Sequence, residues 1–362
     1  MTTSIPLAIT RVIAKLEPGG AQLGALNLTL ALRDLGIESR ILAGHSTPEG
    51  MGLFAEHGVQ VESFSCPRDL QYECSHEFAD WLAPRLARAE LVHGQMFGAW
   101  WAAANALPGS APLVGSEHNA VRWPGPPRVE EMRAALKRID LFFATGPASR
   151  ALVLELGLPP ERLQVGLAAV VGASARPRAG LPARRLVYAS RLHHEKGPDL
   201  LLEAVALLER PPPTLLLGAG PLEPDLRRQV AALGLDDVVQ FVGWQAEPGP
   251  WIAGAAACVI PSRHEARSLT ALLAMALGVP VVSTAVEGMP ELLAEGRGLL
   301  VAPEDPEALA SALQGVLTRR RLPDLAAAHA YAREHTPERV AAYYAKAYRS
   351  LVTSGAQPPA AR

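Results

Sequence analysis

The sequence lacks most of the features that mark a specialised environment. Its 362 residues hold three cysteines, Cys66, Cys74 and Cys258. They form no Cys-x-x-Cys pair and no Cys/His cluster, which argues against a disulfide framework or a structural zinc site. No apolar run approaches the roughly 20 residues that span a bilayer. The start, MTTSIPLAITRVIAKLEPGG, has no basic segment followed by a long apolar stretch. On that reading the chain belongs in the cytoplasm. An excess of one charge is missing too, since 34 Lys and Arg against 36 Asp and Glu leave a net charge of −2. No general pull toward nucleic acid follows, and an anionic partner needs a local basic site.

What the sequence does contain is alternation. IPLAITRVIA, AQLGALNLTLALRDLG and ESRILAG begin a series of short apolar runs and amphipathic stretches that continues through LVHG, PLVGSEH and LFFAT. Such alternation predicts β-α-β units around a parallel sheet. After Leu163 the pattern dissolves into VGLAAVVGASARPRAGLPARR, then restarts with RRLVYAS, TLLLGAG, VVQFVG, ACVIP, VPVVS and GLLVA. The length also exceeds what one hydrophobic core usually supports, about 250–300 residues. The fold class expected is therefore α/β, with two doubly wound, Rossmann-like domains facing across a cleft. Residues 1–166 form the first, 167–184 a linker and 185–334 the second; a helix over 335–353 and a polar tail, 354–362, follow. Ligands of open parallel sheets bind beyond the carboxyl ends of the strands.

Two segments place chemistry there. ASRLHHEKG lies between a strand and a helix, so Arg191 and Lys196 stand at a sheet's carboxyl end, where two cations could neutralise a diphosphate or simply be solvated beside a turn. In IPSRHEARSLTALLAMALGVPVVST the loop ends where a helix begins. Backbone N–H groups near Ser268 and Leu269 could cradle phosphate oxygens, and Glu265 could accept from sugar hydroxyls or steady the helix dipole. The GAG at Gly218–Gly220 is not a dinucleotide fingerprint, because Glu223 stands where the third glycine belongs.

ASRLHHEKGPDLLLEA, LLLGAGPLEPDLRRQV, VVQFVGW, CVIPSRHEA, LLAMALGVPVVST and VEGMPELL, in that order, resemble glycosyltransferase family 4, a retaining family of the GT-B class that uses nucleotide sugars. The likeness covers nearly all of 185–302 and continues more thinly through PGGAQ, SEHN and HTPERVAAYYAKAYRSL, a helix that in the family crosses back to the N-terminal domain. The resemblance implies a bacterial-type enzyme transferring a hexose-type sugar from a nucleotide-diphosphate donor, UDP favoured over GDP, to a glycan, lipid-linked or natural-product acceptor. It makes Arg191 and Lys196 the cations on the leaving diphosphate and Glu265 the partner of the donor sugar. His118 and Asn119 come beside the transferred sugar, Gly19 and Gly20 form a close-approach loop, and Gly220, Gly243 and Trp244 lie near the nucleotide. Trp244 can equally be read as core. No Asp-x-Asp occurs, so donor binding without a metal or cofactor is expected.

One departure stands out. The family usually carries a second Glu eight positions after the first, where it holds the ribose; here that position is Leu273. Thr270, one turn earlier, is the nearest substitute. Arg267 replaces a small or apolar residue and could meet an anionic sugar or remain solvated. A nucleotide-sugar epimerase on the same fold, or a GT-B scaffold with weakened catalysis, are the competing readings. The helix VEEMRAALKRID, with Arg133, Lys137 and Arg138, allows a peripheral contact with the inner membrane face or a plain solvated surface.

Overall fold

The computed structural model describes residues 7–109, 111–118 and 128–353. The chain divides into two compact units, 1–169 with 337–362, and 170–336. The stretch 167–184 is therefore shared between them, Ala169 and Val170 each being buried in its own unit.

The first unit runs β1 (Leu7–Leu16), α1 (Gly20–Arg33), β2 (Ile37–Ser46), α2 (Pro48–Ala55), β3 (Val61–Ser63), α3 (His76–Leu86), β4 (Leu91–Gln95), α4 (Phe97–Ala106), β5 (Leu113–Glu117), α5 (Val129–Leu136), β6 (Leu141–Ala144), α6 (Pro147–Glu155) and β7 (Leu163–Val165). Its sheet is parallel in the order β3-β2-β1-β4-β5-β6-β7. The central strands are buried almost throughout and mainly apolar, because helices cover both faces. Strands β3 and β7, three residues each and only partly buried, escape a reading based on apolar runs.

The second unit runs β8 (Leu186–Ala189), α7 (Pro198–Ala206), β9 (Thr214–Leu217), α8 (Glu223–Ala232), β10 (Val239–Gly243), α9 (Gly249–Ile252), β11 (Ala257–Ile260), α10 (Leu269–Ala276), β12 (Val281–Thr284), α11 (Met289–Leu292), β13 (Leu299–Val301), α12 (Pro306–Leu317) and α13 (Leu325–Ala332). This sheet is parallel in the order β10-β9-β8-β11-β12-β13. The chain then returns to the first unit as α14 (Pro337–Thr353). Val340, Tyr344, Tyr348 and Leu351 recur at helical spacing, and this face buries against Ile9, Leu28, Val114 and Phe143. No helix among the described residues is long and apolar enough to cross a membrane.

In each sheet the strand order reverses once, between β1 and β4 and between β8 and β11. Those are the switch points at which open α/β sheets leave a crevice beyond their strand ends.

Candidate functional site

In the second unit the switch-point strands β8 and β11 lead into the two segments that carry the expected chemistry. After β8 the chain makes a 3-10 turn over His194–Lys196 and ends it at Gly197, which has φ +60°. A Cβ there would lie 2.0 Å from the carbonyl oxygen of Pro261, so only glycine lets this turn sit against the end of β11. The close fit brings Lys196 to Glu265, Nζ to Oε2 at 2.9 Å, with a second bond from Nζ to the carbonyl of His264 at 3.2 Å. Both side chains are mostly buried, at 16% and 13% exposure. Arg191 pairs instead with Glu195, and both remain open to solvent.

The loop carrying Glu265 is fixed from three sides. The backbone N–H groups of Arg263 and His264 donate to the carbonyl of Glu195. Arg263 grips Asp199 through two bonds of 2.8 and 2.7 Å and also reaches Glu304. Glu287, held at φ +43°, accepts from the N–H of Glu265 at 2.8 Å and meets His264 Nδ1 at 2.9 Å. A left-handed conformation at a non-glycine residue costs free energy and tends to mark functional positions. Neither Glu287 nor Glu195 is singled out by the sequence reading, although VEGMPELL contains the first.

Helix α10 begins immediately beyond. Ser268 caps it by accepting from the N–H of Ala271 at 3.2 Å, and the other N–H groups of the first turn, beginning with Leu269, have no intrahelical acceptor. Thr270 is committed, its hydroxyl donating to the carbonyl of Ala189 at 2.8 Å. Leu273 is 6% exposed and belongs to the apolar cluster with Val187, Cys258, Met275 and Val281. Arg267 is not solvated as one reading allowed; its side chain is 7% exposed and pairs with Glu291 at 3.7 Å. Gly220 packs so tightly that a Cβ would lie 2.4 Å from the carbonyl of Leu192, which accounts for it without a ligand. The core alternative for Trp244 fails, because the indole is 42% exposed beside Gly243, itself at φ +80°.

In the first unit, Gly19 precedes α1 in extended backbone, φ 178°, and a Cβ would touch only the end of the Gln22 side chain. Conformation therefore does not require glycine at Gly19; Gly20 opens the helix. His118 follows β5 and is partly buried, with Nε2 2.9 Å from Ser116 Oγ and 3.2 Å from Gln95 Nε2. Asn119 lies outside the described residues. Burial, and then the nearby Arg11 charge, lower the His118 pKa to about 4. His93 behind it is also held well below the usual histidine range, first by burial and then by Arg11. Arg11, His93, Gln95 and Ser116 are buried polar residues within apolar strands, with no local signal to reveal them.

The two lowered imidazoles set a pH dependence of stability. The unfolded chain binds protons at these histidines as pH falls below about 6.5, while the native state resists until about pH 4 for His118. Stability is thus expected to fall through that window, by about 3 kcal/mol for His118. Urea midpoints at pH 7 and pH 4.5 check it: His118→Gln should show a shallower loss than the wild type, and equal losses would contradict the assignment.

Comparison with known proteins adds the family. The glycosyltransferase family 4 model matches 18–165, and the model described as glycosyl transferases group 1 matches 183–319. Curated relatives include the D-inositol 3-phosphate glycosyltransferase of Streptomyces avermitilis, 40% identical over 160 residues, 39% of this chain and 34% of that protein. The lipopolysaccharide core biosynthesis mannosyltransferase LpsB of Rhizobium meliloti is 33% identical over 214 residues, 54% of this chain and 60% of LpsB. The matched stretch thus spans only between 34% and 60% of these relatives. Among solved structures, Anabaena Alr3699/HepE in complex with UDP-glucose superposes with a TM-score of 0.80 at 21% identity, covering 95% of this chain and 100% of that one. Sucrose-phosphate synthase from Thermosynechococcus elongatus gives 0.77 at 21% identity, over 96% and 100%. With two parallel Rossmann-like sheets, and with family matches that take in most of both units, the chain belongs to glycosyltransferase family 4 and has the GT-B fold.

Proposed function

We propose that this chain is a retaining glycosyltransferase that takes a hexose-type sugar from a UDP-sugar and passes it to a glycan, lipid-linked or natural-product acceptor. The observation that carries the reading is the Lys196–Glu265 pair at 2.9 Å, beside the start of α10 and at the switch point of the second sheet. A cation for the leaving diphosphate and an acceptor for sugar hydroxyls stand side by side there, with helix N–H groups next to them. Arg191 supplies the second cation. Its exposed pair with Glu195 is worth about 0–1 kcal/mol, so a diphosphate can exchange for that carboxylate at little cost. The exposed Trp244 offers a face to the nucleobase, and His118 of the first unit serves the transferred sugar. The choice of UDP over GDP is supported by Alr3699/HepE, which was solved with UDP and with UDP-glucose. Arg133 pairs with Glu130 and Arg138 bonds the carbonyl of Gly109. With Glu130, Glu131 and Asp140 balancing Arg133, Lys137 and Arg138, the segment has no basic excess, which favours a solvated surface over a membrane contact.

The test is transfer from a panel of UDP- and GDP-sugars, with and without chelator. Turnover is expected to persist in chelator, because side chains and a helix start neutralise the phosphates. UDP should raise the melting temperature, by an amount equivalent to about 2.7 kcal/mol at a hundred times its Kd. Loss of turnover in chelator, restored by magnesium or manganese, would overturn the metal-independent part. Binding of UDP without transfer to any acceptor would favour the scaffold reading, which the loss of a ribose-binding carboxylate at Leu273 also supports.

A further inference from the structure

Behind His118 runs a hydrogen-bonded chain that starts from an obligatory donor, the Arg11 guanidinium, and ends at the Tyr348 hydroxyl, which can donate or accept. Arg11 is 1% exposed, and its guanidinium donates to the carbonyl of Ala25 at 2.8 Å, to Thr29 Oγ1 at 2.6 Å and to Gln95 Oε1 at 2.9 Å. Arginine has no acceptor, so the Gln95 oxygen must face it, and the Gln95 amide nitrogen must face His118. That nitrogen is a donor only. His118 Nε2, 3.2 Å away, is therefore the acceptor. From the other side, the Tyr348 hydroxyl on α14 lies 2.8 Å from His93 Nδ1, and His93 Nε2 lies 2.9 Å from Ser116 Oγ. Ser116 Oγ lies 2.9 Å from the same His118 Nε2. One assignment satisfies every bond: Tyr348 O–H donates to His93 Nδ1, His93 Nε2–H to Ser116 Oγ, and Ser116 O–H to His118 Nε2.

We infer that Arg11, acting through Gln95 and thereby setting the direction of the Tyr348–His93–Ser116 arm, fixes His118 as the neutral Nδ1–H tautomer, so that it offers its ligand a hydrogen-bond donor and not a base. Both arms deliver a proton donor to Nε2, which leaves the ring's one hydrogen on Nδ1. No partner for Nδ1 stands among the described residues. A donor in that place suits a sugar hydroxyl or an acyl or phosphoryl oxygen and cannot accept a proton from an attacking hydroxyl. Sheet register makes the arrangement rigid: Arg11 stands opposite His93 across β1 and β4, and Gln95 opposite Ser116 across β4 and β5. Just past Gln95, Met96 adopts φ +72°, turning the backbone sharply at the strand end. Arg11, Gln95, Ser116, His93 and Tyr348 are thus positioning residues. The ligand of His118 rests on the proposed function; its tautomer does not.

The test is a long-range proton–nitrogen correlation spectrum of the full chain labelled with nitrogen-15 at its histidines, without donor or acceptor. His118 is assigned by its absence in His118→Gln. The expected wild-type pattern is a protonated Nδ1 and a bare Nε2 at neutral pH; a protonated Nε2 would overturn the inference. Gln95→Glu keeps an acceptor toward Arg11, so the fold should survive, as its melting temperature will report. The carboxylate can only accept from His118, so Nε2 should become protonated, and the spectrum should shift to the Nε2–H form or the imidazolium. Retention of Nδ1–H in Gln95→Glu would show that the chain does not set the tautomer. The same variant should lower kcat/KM for transfer about tenfold or more. Absence of transfer by the wild type with every donor would overturn the proposed function while the tautomer result stood by itself.

Discussion

Replacing Lys196 by Ala is expected to lower turnover by about a hundredfold or more, the usual consequence of removing one preorganised charge that stabilises a developing anion. Lys196 does two things at once. Its ammonium is the innermost cation of the candidate diphosphate site, and it holds Glu265 at 2.9 Å in a mostly buried position. On the proposed function, its loss strips the leaving group of a counter-charge and frees the carboxylate assigned to the sugar. Stability should fall modestly, by about 1–3 kcal/mol, because a partly buried carboxylate loses its charged partner. Arginine will not rescue the site fully, since a planar fork cannot reproduce a point charge placed between Glu265 and the carbonyl of His264. Arg191→Ala should also cut turnover but leave stability almost unchanged, its pair with Glu195 being exposed. Initial rates at saturating donor, with melting temperatures alongside, decide the matter. Unchanged turnover in both variants would remove the diphosphate assignment altogether.

The contrast between these residues and those around His118 shows what a sequence can disclose. Arg191, Lys196 and Glu265 lie in short segments bounded by apolar strands and a helix start, so local pattern alone puts them at a sheet's carboxyl end. The six strands of the second sheet are legible for the same reason, each being a short, mainly apolar run between turn residues. The chain behind His118 has no such signature. Arg11 and Gln95 are 84 positions apart and His93 and Tyr348 are 255 apart. Their meeting depends on parallel register and on the return of α14, neither of which a window of sequence contains. For Arg267 the solvated reading fails, because tertiary packing buries its side chain against Glu291. Trp244 shows the same limit, an indole that composition would place inside and the end of β10 leaves 42% exposed.

Leu273→Glu, which restores the carboxylate usual in the family, is expected to destabilise the protein and not to tighten nucleotide binding. The leucine is 6% exposed and packs with Val187, Cys258, Met275 and Val281. One turn earlier, the hydroxyl of Thr270 already donates to the carbonyl of Ala189. A carboxylate introduced here would leave water without an arranged donor, at a cost of about 2–7 kcal/mol, or would take up a proton and lose the charge that ribose binding needs. A loss of about 3 kcal/mol corresponds to a drop in melting temperature of roughly 6–12 °C for a unit of this size. Leu273→Met, which keeps volume and polarity, should cost less than about 1.5 kcal/mol and serves as the control. UDP affinity measured by titration in all three proteins completes the comparison. If Leu273→Glu binds UDP about tenfold more tightly, about 1.4 kcal/mol, with an unchanged melting temperature, then position 273 still opens onto the nucleotide. If stability falls and affinity does not rise, the apolar cluster has closed over that position, and the ribose must be held by other groups or held weakly.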